Sequence, residues 1–320
     1  MLNNVWVRRG FLVIGVALCA YMVSRFPLSQ IGDACLQLGP WVFLTPVIAM
    51  GWFAANSTAL WNLLERRVRW PILFWNRLVG EGYNSLIPAA GMGGEPFKLR
   101  QLSRYVETHR AVVALINDRL IDNALAFAYS GGTVAVGALT IDMAPTVRGS
   151  MIAYAAAGIG ISAVFVVVMV TTASSRVGGK IAKLLGAEQL GHERMRLSVL
   201  AHATFWTGMG KLIGLLEIAW LFHLLGLDFT IGDVFFTAGA LSAAGFIGGA
   251  IPQGLGVAEA ATVGIFQLLH FPGPAAVAFA LARRGRTLLV SVAGVALHLA
   301  FGRASADEQP AAQPEQAAST

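Results

Sequence analysis

Four ionisable residues stand in or at the ends of largely apolar segments: Glu95 in "IPAAGMGGEPFKLR", Arg119 in "ALINDRLID", Glu259 in "IPQGLGVAEA" and Arg283 in "ALARRGR". Each glutamate follows a proline, Pro88 or Pro252, by seven residues, and each arginine follows its glutamate by 24. Ionisable side chains in hydrocarbon cost roughly 2.5–3.5 kcal/mol each on insertion scales, so they turn inward and pair. The spacing therefore predicts Glu95 with Arg119 and Glu259 with Arg283. For the glutamates two roles stay open, a staple that pins a loop to its neighbouring helix and a part in binding. Arginine leans toward a ligand, because its planar fork binds phosphate bidentately and stays charged in lipid. Arg77, Glu81 and Asn84 lie at helical spacing before Pro88, and Asp118 and Asp122 flank Arg119. Asp122 can share a helix face with Arg119, as Arg286 can with Arg283. Lys211 and Glu217, six residues apart, do not favour pairing with each other.

Segments that hold such residues need elements that cross a bilayer. About 20 apolar residues are required per crossing, and six stretches qualify: 10–25, 39–60, 110–139, 150–172, 197–225 and 275–301. Two further apolar stretches, 71–97 and 233–268, are each interrupted by Ile-Pro and glycines. Read as simple spans, they would put Lys98, Arg100, Arg104 and Arg110 outside, against the positive-inside rule. Read as re-entrant, they leave every basic loop on the cytoplasmic side. Unwound backbone at membrane depth must be satisfied by protein or by a wet cavity, so both breaks are expected in the interior.

The two broken segments align without a gap at a shift of 164 residues, which sets Pro88 on Pro252, Glu95 on Glu259 and Arg119 on Arg283. Proline, glutamate and arginine are scarce in apolar segments, so their coincidence marks an internal repeat. Three spans separate the copies, about 71–139 and 233–301, so they enter from opposite sides. The expected fold is an all-α polytopic membrane protein: six spanning helices plus two re-entrant broken-helix hairpins forming inverted-topology repeats. Residues 1–303 form one transmembrane domain, and 304–320, rich in Pro, Ala and Gln, form a disordered cytoplasmic tail. Arg8 and Arg9 hold the N-terminus in the cytoplasm too.

Composition removes other classes. The chain has 320 residues, 56% of them hydrophobic and 12% charged, with a net charge of +6. Its basic residues lie in short clusters between apolar runs, which argues for lipid headgroups and against nucleic acid. The two cysteines, Cys19 and Cys35, have no metal-ligand spacing, and His202, His223 and His298 have none either, so neither metal nor cofactor is expected. No phosphate loop and no nucleophile with its base is found, so the chain does not read as an enzyme.

The paired motifs "GMGGEPFKLRQLSRY" with "ALINDRLID", and "IPQGLGVAEA" with its downstream arginine, resemble the flippase-like transmembrane family found as the membrane half of lysylphosphatidylglycerol synthases and in stand-alone bacterial relatives. The resemblance covers about 70–301. It implies lipid translocation in an inner membrane, with Gly94, Glu95, Arg119, Gly256, Glu259 and Arg283 as the functional candidates. Residues after Phe301 hold no transferase domain, so synthase activity is not carried over. The expected activity is that of a lipid flippase or transporter. It would move an anionic or phosphate-bearing lipid between leaflets through a polar midplane site, with membrane lipids and lipid-biosynthesis enzymes as partners. The competing expectation is a membrane-embedded lipid-modifying enzyme or an accessory subunit of such a pathway.

Overall fold

The computed structural model describes residues 28–86, 93–173, 196–248 and 256–301. Pro88, Pro252, the first expected span and the tail after Phe301 lie outside the described residues. Among the described residues ten α-helices follow one another: α1 (Leu28–Leu38), α2 (Leu44–Leu63), α3 (Trp70–Leu86), α4 (Glu95–Leu102), α5 (Thr108–Thr140), α6 (Pro145–Ala173), α7 (Leu197–Leu224), α8 (Ile231–Gly248), α9 (Val257–Leu268) and α10 (Gly273–Phe301). Among the described residues, α2 with the 3-10 turn before it, α6 and α7 are long and apolar enough to cross a membrane. At 33 and 29 residues α5 and α10 have the length, but they carry the charged groups of the interior.

Local chemistry explains where helices persist and stop. In α2 the run Asn56, Ser57 and Thr58 would strand polar groups in lipid. Each side chain instead donates to the carbonyl four residues back, at 2.8, 2.7 and 2.9 Å, the usual resolution for small polar residues in an apolar helix. Helices α2, α7 and α9 end in one way: a left-handed residue (Glu65, Gly226 or His270), after which the next N–H bonds back to Trp61, Phe222 or Phe266. That closure satisfies carbonyls a helix end leaves open.

The order long helix, 17-residue helix, short helix, long helix in α2–α5 recurs in α7–α10, whose second member has 18 residues. Contacts are reciprocal as well. Helix α3 packs on α10 and α8 on α5, so the first broken-segment helix of each half lies against the last helix of the other, while α2 packs on α7. The likeness in helix order and contacts takes in α2 and α7, which lie outside residues 71–139 and 233–301. Helix α2 has no charged residue to set against Lys211 and Glu217 of α7, so the sequence offers no register between them.

The core splits accordingly. Phe222, Phe266, Phe271 and Phe279 form an aromatic knot between α7, α9 and α10, with ring centroids 5.4–5.7 Å apart. A second cluster joins α2, α3, α4 and α5 around Leu60, Leu73, Leu102 and Ile121. Helix α6 packs chiefly on α5 and turns Ile159, Val164 and Val167 outward, as a lipid-facing helix does.

A charged cavity between the two halves

Two glutamates open the short helices, but at different positions. Helix α4 begins at Glu95, whereas α9 begins two residues before Glu259. Glu259 therefore sits in the third position and caps its own helix: Oε2 accepts the Gly256 N–H at 2.8 Å, with Gly256 left-handed at φ 80°. In the first half that duty falls to Asn84, whose Oδ1 accepts the Gly94 N–H at 2.7 Å. Gly94 is packed so tightly that a Cβ would lie 2.1 Å from the Gly80 carbonyl oxygen. The N–H groups of Gly94 and Gly256 thus both have side-chain acceptors.

Glu95 pairs as its spacing requires. Its Oε1 accepts from Arg119 and from Lys98, the latter at 2.9 Å. Lys98, which sequence assigns to a cytoplasmic basic loop, is instead buried and runs across Gly80. Beside it Arg77 donates to both carboxylate oxygens of Asp118 at 2.8 Å. Five charged groups thus tie α3, α4 and α5 together.

The second half departs from the expected pattern. Glu259 pairs with Arg284, not with Arg283: its Oε1 accepts Arg284 Nε at 3.0 Å and a shorter bond from Nη2. One residue is about 100° around a helix, and the shifted start of α9 presents the carboxylate to the neighbouring arginine. Arg283 is freed to face inward. Its guanidinium lies over the Phe279 ring, 5.8 Å from the centroid, and its Nε is 3.9 Å from Glu217 Oε1. Arg286 Nη1 donates to Glu217 Oε2 at 2.7 Å. Asp122 accepts from Lys211 Nζ at 2.8 Å, rather than closing on Arg119. Lys211 and Glu217 therefore do not meet; each reaches to a different helix.

These groups surround a cavity of about 290 Å³ bounded by α2, α3, α5, α7, α8 and α10. Its charged lining is Glu81, Lys211, Glu217, Arg283 and Arg286, with Tyr129, Ser242 and Thr287 as further polar groups. Trp52, Phe53 and Val290 make the apolar wall. Of the sequence candidates, Arg283 and Arg286 line this space, while Glu95, Arg119, Glu259, Gly94 and Gly256 do not; Asp122 bears on it only through Lys211. Lys211, Glu217 and Tyr129 are the residues that sequence spacing underrated. An ionisable residue inside an apolar span was signal enough for the first two; Tyr129 carried none. Among the described residues no group of three His, Cys, Asp or Glu side chains could hold a metal ion.

With Lys211 held by Asp122 and Arg286 by Glu217, the cavity keeps Arg283 as a cation with no hydrogen-bonded carboxylate among the described residues. Such a group, roofed by an aromatic ring and open to a polar space, is suited to an anion. Comparison with known proteins agrees on the setting. The chain is 32% identical over 117 residues to a UPF0104 membrane protein of Methanothermobacter thermautotrophicus, a match covering 35% of each chain. No solved structure matches. The family described as "Lysylphosphatidylglycerol synthase TM region" matches residues 10–294, and this membrane chain therefore belongs to that family.

Proposed function

We propose that the protein moves a phosphate-bearing, anionic lipid between leaflets of the inner membrane, with the headgroup passing through the α2–α3–α5–α7–α8–α10 cavity and the tails staying in the bilayer. One observation carries this reading: Arg283 lines a cavity that has charged groups on an otherwise largely apolar wall, and it is left without a full counter-charge. Reciprocal packing of α3 on α10 and α8 on α5 supports two equivalent units that work against each other. In this reading the units are inverted, each broken segment re-enters from its own side, and both termini are cytoplasmic. Membership of a family named for lysylphosphatidylglycerol synthases supports a lipid as cargo. The protein acts as a transporter rather than an enzyme, and the lipid itself is its partner.

The test is movement of fluorescent phosphatidylglycerol in vesicles holding the purified chain. Dithionite bleaches only the outer leaflet, so in the presence of wild-type protein the inner-leaflet dye should become accessible as its lipid moves outward. Arg283→Gln should slow that access about tenfold or more, the scale expected for losing charge-assisted hydrogen bonds. Wild-type vesicles that protect the dye as well as protein-free ones would refute transport. Chromatographic conversion of the lipid would establish the enzyme instead.

A further inference from the structure

Two guanidinium groups in the cavity share one carboxylate, and the fit is poor. Glu217 Oε2 takes Arg286 Nη1 at 2.7 Å, while Oε1 stands 3.9 Å from Arg283 Nε, beyond hydrogen-bond reach. Glu217 Oε1, Arg283 Nε and Arg286 Nε are all buried without a hydrogen-bond partner among the described residues. The Glu217 side chain is 5% exposed. Orphaned polar atoms are uncommon in protein interiors and call for an explanation. Here three of them converge beside a cavity.

The other charges do not resolve the mismatch. From α5, Asp122 is engaged by Lys211 of α7 itself, and Tyr129 lies on the cavity wall. Helix α3 contributes Glu81, of the same sign as Glu217; α2 and α8 give the wall no charged side chain, and Asp33 of α1 is exposed. A flat carboxylate offers two oxygens. A lipid phosphodiester also has two charged oxygens, but they splay from a tetrahedral phosphorus, out of the single plane that limits a carboxylate, and can serve two arginine forks at once.

We infer that Glu217 is a resident counter-anion, occupying the arginine pair until the phosphate of a lipid headgroup displaces it. The inference rests on the transport reading above and adds to it a competitor built into the site. Its displacement removes the ionic link between α7 and α10, whereas the aromatic packing of Phe222 on Phe279 and the Lys211–Asp122 link between α7 and α5 remain. Cargo binding is thereby tied to loss of the ionic restraint on the helix that carries both arginines.

Short-chain phosphatidylglycerol, titrated calorimetrically into the detergent-solubilised full chain, tests this, with diacylglycerol of the same chain length as the phosphate-free control. Glu217→Gln keeps the shape and removes the competing charge, so it should bind phosphatidylglycerol about tenfold tighter than wild type or better, while Arg283→Gln binds at least about tenfold more weakly. A residue that merely braced the helices would not raise affinity when neutralised. If Glu217→Gln binds no tighter than wild type while Arg283→Gln weakens binding, the counter-anion is refuted and the phosphate site stands. If all three bind alike, the phosphate site falls and the inference with it. Should Glu217→Gln fail to stay monodisperse, Glu217→Gln with Arg286→Gln removes the pair as a unit. It must then bind tighter than Arg286→Gln alone, and equal affinity overturns the inference.

Discussion

Arg77 and Asp118, 41 residues apart, make a two-pronged ion pair whose side chains are 11% and 8% exposed. A buried pair contributes less to stability than its geometry suggests, because both charges lose water, but breaking it leaves one charge stranded. Asp118→Leu should therefore lower unfolding stability in detergent by about 3–5 kcal/mol, and adding Arg77→Met should recover most of the loss. A double variant no better than the single one would mean that the pair is not the buried unit described here. Residue by residue, the sequence was legible where a scarce charge recurred at a fixed spacing: Glu95 does meet Arg119. It was misleading at Glu259, because spacing cannot tell on which side of Arg284 the face of α10 lies. It gave no sign that Lys98, grouped with the basic residues of a loop, is buried, because that burial depends on Gly80 from another helix leaving room for its stem.

At the level of elements, the halves approach through glycine. A Cβ on Gly294 of α10 would stand 2.4 Å from the Leu78 carbonyl oxygen of α3, which is backbone and cannot swing aside. Small residues at crossings let membrane helices gain close packing that lipid cannot supply. Gly294→Ala should thus cost about 1–3 kcal/mol by overpacking. Gly285→Ala, in the same helix with nothing within 4 Å of its Cβ position, should be neutral or stabilising by up to about 1 kcal/mol. Equal melting shifts for the two variants would contradict the α3–α10 crossing. Close crossings of this kind are opaque in sequence, since Gly294 and Gly285 look alike there. The chain holds 36 glycines, too many for identity alone to pick out the crossings. The short helices were legible in outline because proline and glycine interrupt apolar runs, although Pro88 and Pro252 themselves lie outside the described residues.

For the whole molecule, the proposed transport has two inverted halves that face opposite leaflets around one cavity. The turn after α4 and the turn after α9 occupy equivalent places in the two halves, and Arg104 and Pro272 mark them with exposed side chains. Inversion puts these turns on opposite sides of the membrane; a parallel repeat puts them on one side. Single-cysteine labelling with a membrane-impermeant maleimide decides between them, with Cys19 and Cys35 first replaced by serine. Arg104→Cys should label only when the cytoplasmic face is opened, and Pro272→Cys should label from outside in intact cells. Labelling of both positions from the same side would contradict the inverted arrangement and, with it, a cavity that alternates between leaflets.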